Sequence, residues 1–101
     1  MDKNILELIE YPSEGILSKE IIKDENVDVT LFCMAAGKEI SEHTSTKPGT
    51  VQVIEGDGTF NLEGKDIKMV SGTIIYMKAN AIHSLKAEKE TSFVLTLFNG
   101  K

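Results

Sequence analysis

The sequence predicts an all-β protein, a sandwich or a barrel, on two observations. Short runs rich in Val, Ile, Thr and Phe recur about every eight to ten residues, and Gly, Asn, Asp or Pro separates them. Beyond Pro12 no segment has both the length and the period of an amphipathic helix. The chain of 101 residues has the length of one domain.

The first segment of the chain fits two descriptions. Asn4–Tyr11 reads NILELIEY and has apolar residues at positions 5, 6, 8 and 9. That pattern is typical of one or two helical turns ended by Pro12, and it also suits a short strand. We expect residues 1–14 to form an N-terminal segment, helical or extended, and residues 15–101 to form a single β-barrel domain.

The β-prone runs begin at Gly15, and turn-forming residues separate them. In chain order they read GILSKEIIK, VDVTLFCMA, KEISEHT, TVQVIEG, DGTFNLEG, KDIKMVSG, TIIYMKAN, AIHSLKA and TSFVLTLFNG. The stretch LEGK, residues 62–65, is typical of a tight hairpin between two of these runs.

Three of the runs carry bulky residues at consecutive positions: VQVI, TIIYM and FVLTLF. A strand with one face in water should alternate between apolar and polar residues. Two covered faces indicate that one side lines a barrel interior and the other packs on a second sheet or a second subunit. A homodimer is the simpler account for so small a chain. A sandwich with imperfect alternation is the alternative.

Composition excludes several classes of protein. The net charge is −5, and the chain has no arginine and no lysine cluster, so nucleic-acid binding is not expected. No apolar run approaches the ~18 residues of a membrane span, and the N-terminus lacks the layout of a signal peptide. The single cysteine, Cys33, excludes a disulfide framework within the chain. We therefore expect a cytoplasmic protein.

The candidates for chemistry are few, and the two histidines, His43 and His83, come first. A histidine in a strand is more often a surface or hydrogen-bonded core residue than a ligand. Here Gly37 stands six residues before His43, and Gly72 stands eleven residues before His83. These spacings favour the interpretation that both histidines belong to a functional site.

The spacings resemble the two motifs of the cupin family, and the resemblance covers nearly the whole chain. The first motif is Gly, five residues, His-x-His, three or four residues, Glu, six residues and Gly; Gly37, His43 and Gly56 match it. The second is Gly, five residues, Pro-x-Gly, two residues, His, three residues and Asn; Gly72 and His83 match it. The segments ISEHTSTKP, VQVIEGD and KANAIHSLKA are similar to those of small single-domain cupins of the cupin 2, conserved-barrel group. The resemblance implies a double-stranded β-helix, or jelly-roll barrel, and a mostly unassigned function.

The departures from these motifs bear on metal binding. Metal-binding cupins use both histidines and the Glu of the first motif and the His of the second. In this sequence Ser45 replaces the second His and Gly49 replaces the Glu. The resemblance therefore implies that only His43 and His83 remain as metal ligands. Two imidazoles would hold a divalent transition metal such as Mn, Fe, Ni or Zn only weakly.

Other side chains are weaker candidates for the site. Glu55 shares the inward parity of residues 49–53 but stands at the far end of that run. Cys33 has no evident basic neighbour, so a small core residue is the simpler interpretation. Lys78 stands where the motif has Pro and is expected at the barrel mouth, as an anion-attracting or plain surface residue. Three methionines are either soft filler of a pocket or core residues: Met34, Met69 and Met77.

Three functions are consistent with the sequence. The one we favour is a non-enzymatic barrel whose pocket binds a small molecule through His43, Ser45 and His83. The second is a dimeric interaction or regulatory module with a vestigial pocket. The third is a metal-dependent enzyme of the dioxygenase or isomerase type with an atypical two-histidine site. The sequence leans against an enzyme, because two of the four metal ligands are replaced and the fold itself does not fix a chemistry.

Overall fold

The structure, a computed structural model, describes residues 1–99. Within those residues it has one short helix, α1 (Ile5–Leu8), and nine strands. The strands are β1 (Ile16–Lys23), β2 (Val27–Met34), β3 (Glu39–His43), β4 (Gly49–Glu55), β5 (Gly58–Leu62), β6 (Lys65–Met69), β7 (Ile74–Met77), β8 (His83–Ala87) and β9 (Thr91–Phe98).

The strands form two antiparallel sheets that enclose one core. The first has five strands in the order β1-β2-β9-β4-β7, and the second has four in the order β3-β8-β5-β6. Partners such as β2 and β9 are far apart in the chain, as in a jelly roll. The predicted all-β class is confirmed, and no helix follows Pro12 within residues 1–99. None of those residues belongs to a helix long and apolar enough to cross a membrane.

The core between the sheets is rich in methionine and also contains two phenylalanines. Its fully packed members are Met34, Val51, Val53, Ile75, Met77 and Phe93 from the five-stranded sheet, with Phe60, Met69, Leu85 and Ala87 from the other. Alternation places these side chains inward on the seven strands that carry them. All three methionines singled out in the sequence are therefore core residues, and Met77 also lines the cavity described below.

The segment before Gly15 contains the one helical turn and is otherwise irregular. Asn4 caps the turn, because its side chain accepts a hydrogen bond from the Leu6 amide at 2.9 Å. The helix ends at Leu8, and Ile9 is already extended (φ −64°, ψ 128°). Of the two descriptions left open for Asn4–Tyr11, the helical one therefore holds for Ile5–Leu8, and residues 9–11 are not part of a strand.

This N-terminal segment lies across the outer face of the five-stranded sheet, opposite the core. The Lys19 ammonium donates to the Leu8 carbonyl at 2.8 Å. The Tyr11 hydroxyl donates to Glu55 Oε2 at 2.7 Å and lies 3.0 Å from Ser92 Oγ. Burial raises the pKa of Tyr11 to about 12, while Ser92 opposes the shift and Glu55 adds to it. The phenol therefore stays a hydrogen-bond donor at neutral pH.

The covering segment explains two buried residues outside the core. Leu31 pairs with Lys19, and Cys33 pairs with Ser92, so both share the outer face. Each has 0% of its surface exposed. Cys33 thus lies beneath the N-terminal segment and does not face the interior.

The hairpin between β5 and β6 turns at two residues with positive φ. Glu63 has φ 52° and Gly64 has φ 87°, while Leu62 pairs directly with Lys65. Positive φ at both central positions is the signature of a type I′ turn, which matches the twist of the flanking strands. The hairpin predicted at LEGK is confirmed.

Candidate functional site

A cavity of about 60 Å³ opens at one end of the core and contains both histidines. We call it the central cavity. Three aromatic rings line it: Phe32, Phe60 and Phe93. The remaining apolar lining consists of Ile40, Val51, Met77, Leu85 and Leu95. Apart from His43 and His83, no ionisable group among the described residues lines it.

A β-bulge in β3 directs His43 toward this cavity. Ile40 pairs with Leu85 of β8, but the register then shifts, so that His43 pairs with His83. In an unbroken strand, residues 40 and 43 would face opposite sides. The shift lets both line the cavity and leaves Glu42 exposed. The bulge therefore determines that a histidine, and not a carboxylate, faces the interior.

His83 begins β8 directly opposite His43, and its ring is held on one side by Phe60. The two histidine rings lie 4.0 Å apart between centroids, tilted by 60°. The Phe60 ring is 5.7 Å from the His83 ring and nearly parallel to it, at 5°. His83 is only 6% exposed, whereas His43 is exposed at the mouth. The pair thus joins a buried imidazole to an accessible one.

Both imidazoles use the same nitrogen to bond their own backbone. His43 Nδ1 lies 2.8 Å from the Ser41 carbonyl oxygen, and His83 Nδ1 lies 3.0 Å from that of Ala81. A carbonyl only accepts, so each Nδ1 carries the proton. In the neutral form each Nε2 then carries a free lone pair. This orientation is typical of metal-binding histidines, and it equally leaves each Nε2 free to accept a hydrogen bond from a ligand.

The loop before His83 is fixed by the β5–β6 hairpin. The Ile82 amide donates to Glu63 Oε2 at 2.6 Å, and the Glu63 amide donates to the Ile82 carbonyl at 2.9 Å. The Asn80 amide donates to the Ser45 carbonyl at 2.7 Å, which ties the same loop to the one after β3. Glu63 is therefore a positioning residue for His83.

Burial lowers the pKa of His83 below its ordinary value of 6.5. The hydrogen bond to Ala81 partly opposes this effect, and the neighbouring His43 adds a smaller lowering. At neutral pH His83 is therefore a neutral acceptor. His43 is the one other ionisable group that lines the cavity among the described residues.

We expect the free energy of unfolding to fall as the pH drops below 6.5. In that range the unfolded chain protonates His83 while the folded chain does not, so protons favour unfolding until the lowered pKa of folded His83 is passed. The slope from this one group is at most about 1.4 kcal/mol per pH unit. Urea unfolding of the wild type and of His83→Gln at several pH values measures it. A stability difference between the two that does not change with pH would contradict the assignment.

The structure brings together two of the three residues that the sequence assigns to the pocket. Ser45 lies in the loop after β3, where its Oγ accepts a hydrogen bond from the Lys47 amide at 3.1 Å, and it is not among the residues that line the cavity. Gly49, at the position of the motif's Glu, begins β4 opposite Met77. A side chain at Gly49 would collide with the Thr96 carbonyl.

The other candidates from the sequence lie elsewhere. A second bulge, between Val53 and Glu55, pairs Glu55 with Ser92 and turns it outward, so the inward parity assigned to Glu55 is wrong. Lys78 lines a neighbouring open groove of about 600 Å³ with Tyr76, and it does not line the central cavity. Sequence reasoning missed the phenylalanines, although the alternation of β5 would have placed Phe60 inward.

The residues present do not fit the divalent metal that cupins often bind. Among the described residues no three His, Cys, Asp or Glu side chains are grouped to hold an ion. A catalytic metal site normally needs three protein ligands, and the oxygenase type needs a carboxylate. The geometry instead provides two imidazole acceptors in an apolar cavity.

Comparisons with known families and structures agree on the fold. The family described as Cupin domain matches residues 30–98. A conserved protein of unknown function from Streptococcus pyogenes superposes with a TM-score of 0.89 at 19% identity, covering 100% of this chain and 89% of that one. A cupin superfamily protein from Desulfitobacterium hafniense superposes at 0.87 with 19% identity, covering 93% and 86%.

An enzyme is also among the similar structures. A mutant of salicylate 1,2-dioxygenase from Pseudoaminobacter salicylatoxidans superposes with a TM-score of 0.77 at 19% identity, covering 82% of this chain and 26% of that one. Structural similarity at identities this low shows a shared fold and does not show a shared activity. No curated protein matches the sequence.

Proposed function

Because the chain belongs to the cupin domain family, we propose that it is a small-molecule-binding barrel in which His43 and His83 hold the ligand. One observation carries this proposal. The two imidazoles stand opposite each other, 4.0 Å apart, at an otherwise apolar cavity, and each has Nδ1 bonded to a backbone carbonyl. A few convergent polar groups in an apolar cavity are typical of a ligand site.

Metal analysis separates this function from a metal-dependent enzyme with an atypical two-histidine site. Protein purified without added metal is expected to contain far less than one metal ion per chain. Its melting temperature should not rise with Mn, Fe, Ni or Zn, although tight binding at 100 times Kd would add about 2.7 kcal/mol. Stoichiometric metal whose stabilising effect disappears in His83→Ala would favour the enzyme.

A thermal-shift screen of small molecules tests the pocket itself. A compound that binds there should raise the melting temperature of the wild type but not of His43→Ala or His83→Ala. Lys78→Ala serves as the matched control, because Lys78 lines the neighbouring groove and not the cavity. A compound whose effect survives both histidine substitutions binds elsewhere and would count against the proposal. Ser45 stays a prediction that the same screen can examine.

The second proposal concerns a homodimer through the outer face of β4, β7 and β9. Tyr76, Thr50 and Thr96 form one cross-strand row there, and Ile74, Gln52 and Val94 form the next. Ile74 is 66% exposed and Tyr76 58%, so this face is uncovered in one chain. None of these six residues is charged, which suits packing between two copies of a chain with net charge −5.

Light scattering tests the dimer. We expect twice the chain mass of 11.1 kDa at micromolar concentration, and the monomer mass for Tyr76→Glu. Thr59→Glu, on the outer face of the other sheet, should leave the dimer intact. A wild-type monomer at these concentrations would refute the proposal. The cytoplasmic location and the lack of nucleic-acid binding stay predictions from the sequence.

A further inference from the structure

The free ring nitrogens set the hydrogen-bonding capacity of the central cavity. Nδ1 of His43 and Nδ1 of His83 are both bonded to carbonyl oxygens two residues earlier. The other polar atom of each ring, Nε2, can only accept a hydrogen bond while the ring is neutral. While both rings are neutral, the cavity therefore offers two imidazole acceptors, whose ring centroids lie 4.0 Å apart, and no side-chain donor. A ligand that only accepts would leave both imidazoles unsatisfied.

Charged ligands find no counter-charge in this cavity. No lysine lines it to neutralise an anion, and no carboxylate lines it to neutralise a cation, among the described residues. Moving an unpaired charge from water into apolar surroundings costs far more than one hydrogen bond returns. Protonation of His83 would provide a buried cation, but burial lowers the pKa of this imidazole and opposes its protonation. A neutral ligand is therefore favoured.

The size of the cavity limits the part of the ligand that enters. About 60 Å³ is larger than the ~10–15 Å³ that one water molecule needs and smaller than the ~150 Å³ of a cavity that holds benzene. The inserted part is thus slimmer than an aromatic ring. The exposed position of His43 leaves the mouth open for the rest of the molecule.

We propose that the cavity takes a neutral compound with a hydroxyl group on a slim aliphatic end. The hydroxyl donates to an imidazole Nε2 of the His43–His83 pair, and the aliphatic end lies against Phe60 and Met77. This inference rests on the ligand-binding function proposed above and adds the class of ligand. Its test separates a wrong class from a wrong site.

The test compares four small compounds of similar size: 1-butanol, methyl propyl ether, butanoate and butylammonium. Protein with ¹³C-labelled methionine methyl groups is titrated with each at about pH 8, where the unperturbed imidazole is neutral. Met77 lines the cavity and reports binding, while Met1, 80% exposed, serves as the internal reference. We expect 1-butanol to shift the Met77 signal and to bind about tenfold more tightly than its isomer, the ether, which lacks the donor. Both ions should bind more weakly than the alcohol.

The variants assign the preference to the histidines. Because either imidazole can accept the hydroxyl, the tenfold preference for the alcohol should fall in His83→Phe or in His43→Phe and disappear in the double variant. His43→Phe, at an exposed position, keeps the test possible if a variant at His83 does not fold, and a preference unchanged in both single variants would remove the histidines from the site. Equal binding of alcohol and ether to the wild type, or tighter binding of either ion, would overturn the ligand class and leave the pocket standing. If none of the four compounds shifts Met77, both the class and this cavity as a binding site are overturned.

Discussion

Replacing Gly49 with alanine should destabilise the protein by about 1 to 3 kcal/mol, the usual cost of overpacking a core position. A Cβ at this position would overlap the Thr96 carbonyl oxygen of the neighbouring strand and lie 2.8 Å from Leu97 Cδ2. A backbone oxygen in a sheet cannot move aside as a flexible side chain can. Urea unfolding of the wild type and the variant measures the loss.

Whether Gly49→Ala lowers or raises the free energy of unfolding decides if the close approach exists. Gly49 has no positive φ, and glycine inside a strand normally costs about 0.5 to 1 kcal/mol relative to alanine. If the site had room, Gly49→Ala would therefore stabilise the protein, and that result would contradict the close approach. Gly64→Ala is the complementary control. A Cβ there meets nothing within 4 Å, so its cost reports only the strain of φ 87°.

The same close approach bears on the missing metal ligand. Gly49 stands where metal-binding cupins have Glu, and here the space for the first atom of that side chain is filled by β9. The two strands are thus packed for a glycine, and Gly49→Glu should destabilise the fold without creating a metal site. Bound zinc or nickel in a folded Gly49→Glu protein would contradict this prediction, because it would show that β9 can move away from residue 49.

The sequence was sufficient to predict the all-β class and to assign both histidines to one pocket, for clear physical reasons. Period-two alternation and turn residues are local signals, and they predict the strands and the tight hairpin at residues 62–65. The glycine spacings before His43 and His83 are also readable along the chain. The structure brings those two residues into one cross-strand pair.

The β-bulges in β3 and β4 could not be predicted from the sequence. A bulge adds one residue to one strand of a pair, so it depends on the partner strand and reverses the parity that alternation assigns. In β3 the shift directs His43 inward, and in β4 it turns Glu55 outward to Tyr11. Parity counted along β4 alone therefore placed Glu55 on the wrong face. The covering of Leu31 and Cys33 by the N-terminal segment is a long-range contact of the same kind.

Phe60→Ala is expected to have the largest effect on stability, a loss of about 3 to 5 kcal/mol. Phe60 is 1% exposed, belongs to the core cluster and stacks on His83. Its removal takes away apolar burial and leaves a cavity that the two sheets cannot close, because both are held by their hydrogen bonds. A domain of this size is stable by roughly 5 to 15 kcal/mol, so the variant should fold only marginally.

The matched control is Phe98→Ala, which removes the same atoms from a side chain that is 42% exposed, at the end of β9. It should cost less than about 1 kcal/mol, as surface substitutions usually do.

Phe60→Leu keeps most of the volume but loses the ring that lies parallel to His83. If Phe60 acts only as core filler, Phe60→Leu will leave the pH dependence of stability unchanged. If its ring also keeps water from His83, the pKa of His83 will rise toward 6.5 in Phe60→Leu, and NMR titration of the His83 ring measures that rise directly. An unchanged His83 pKa would assign the burial of this histidine to the rest of the cavity wall.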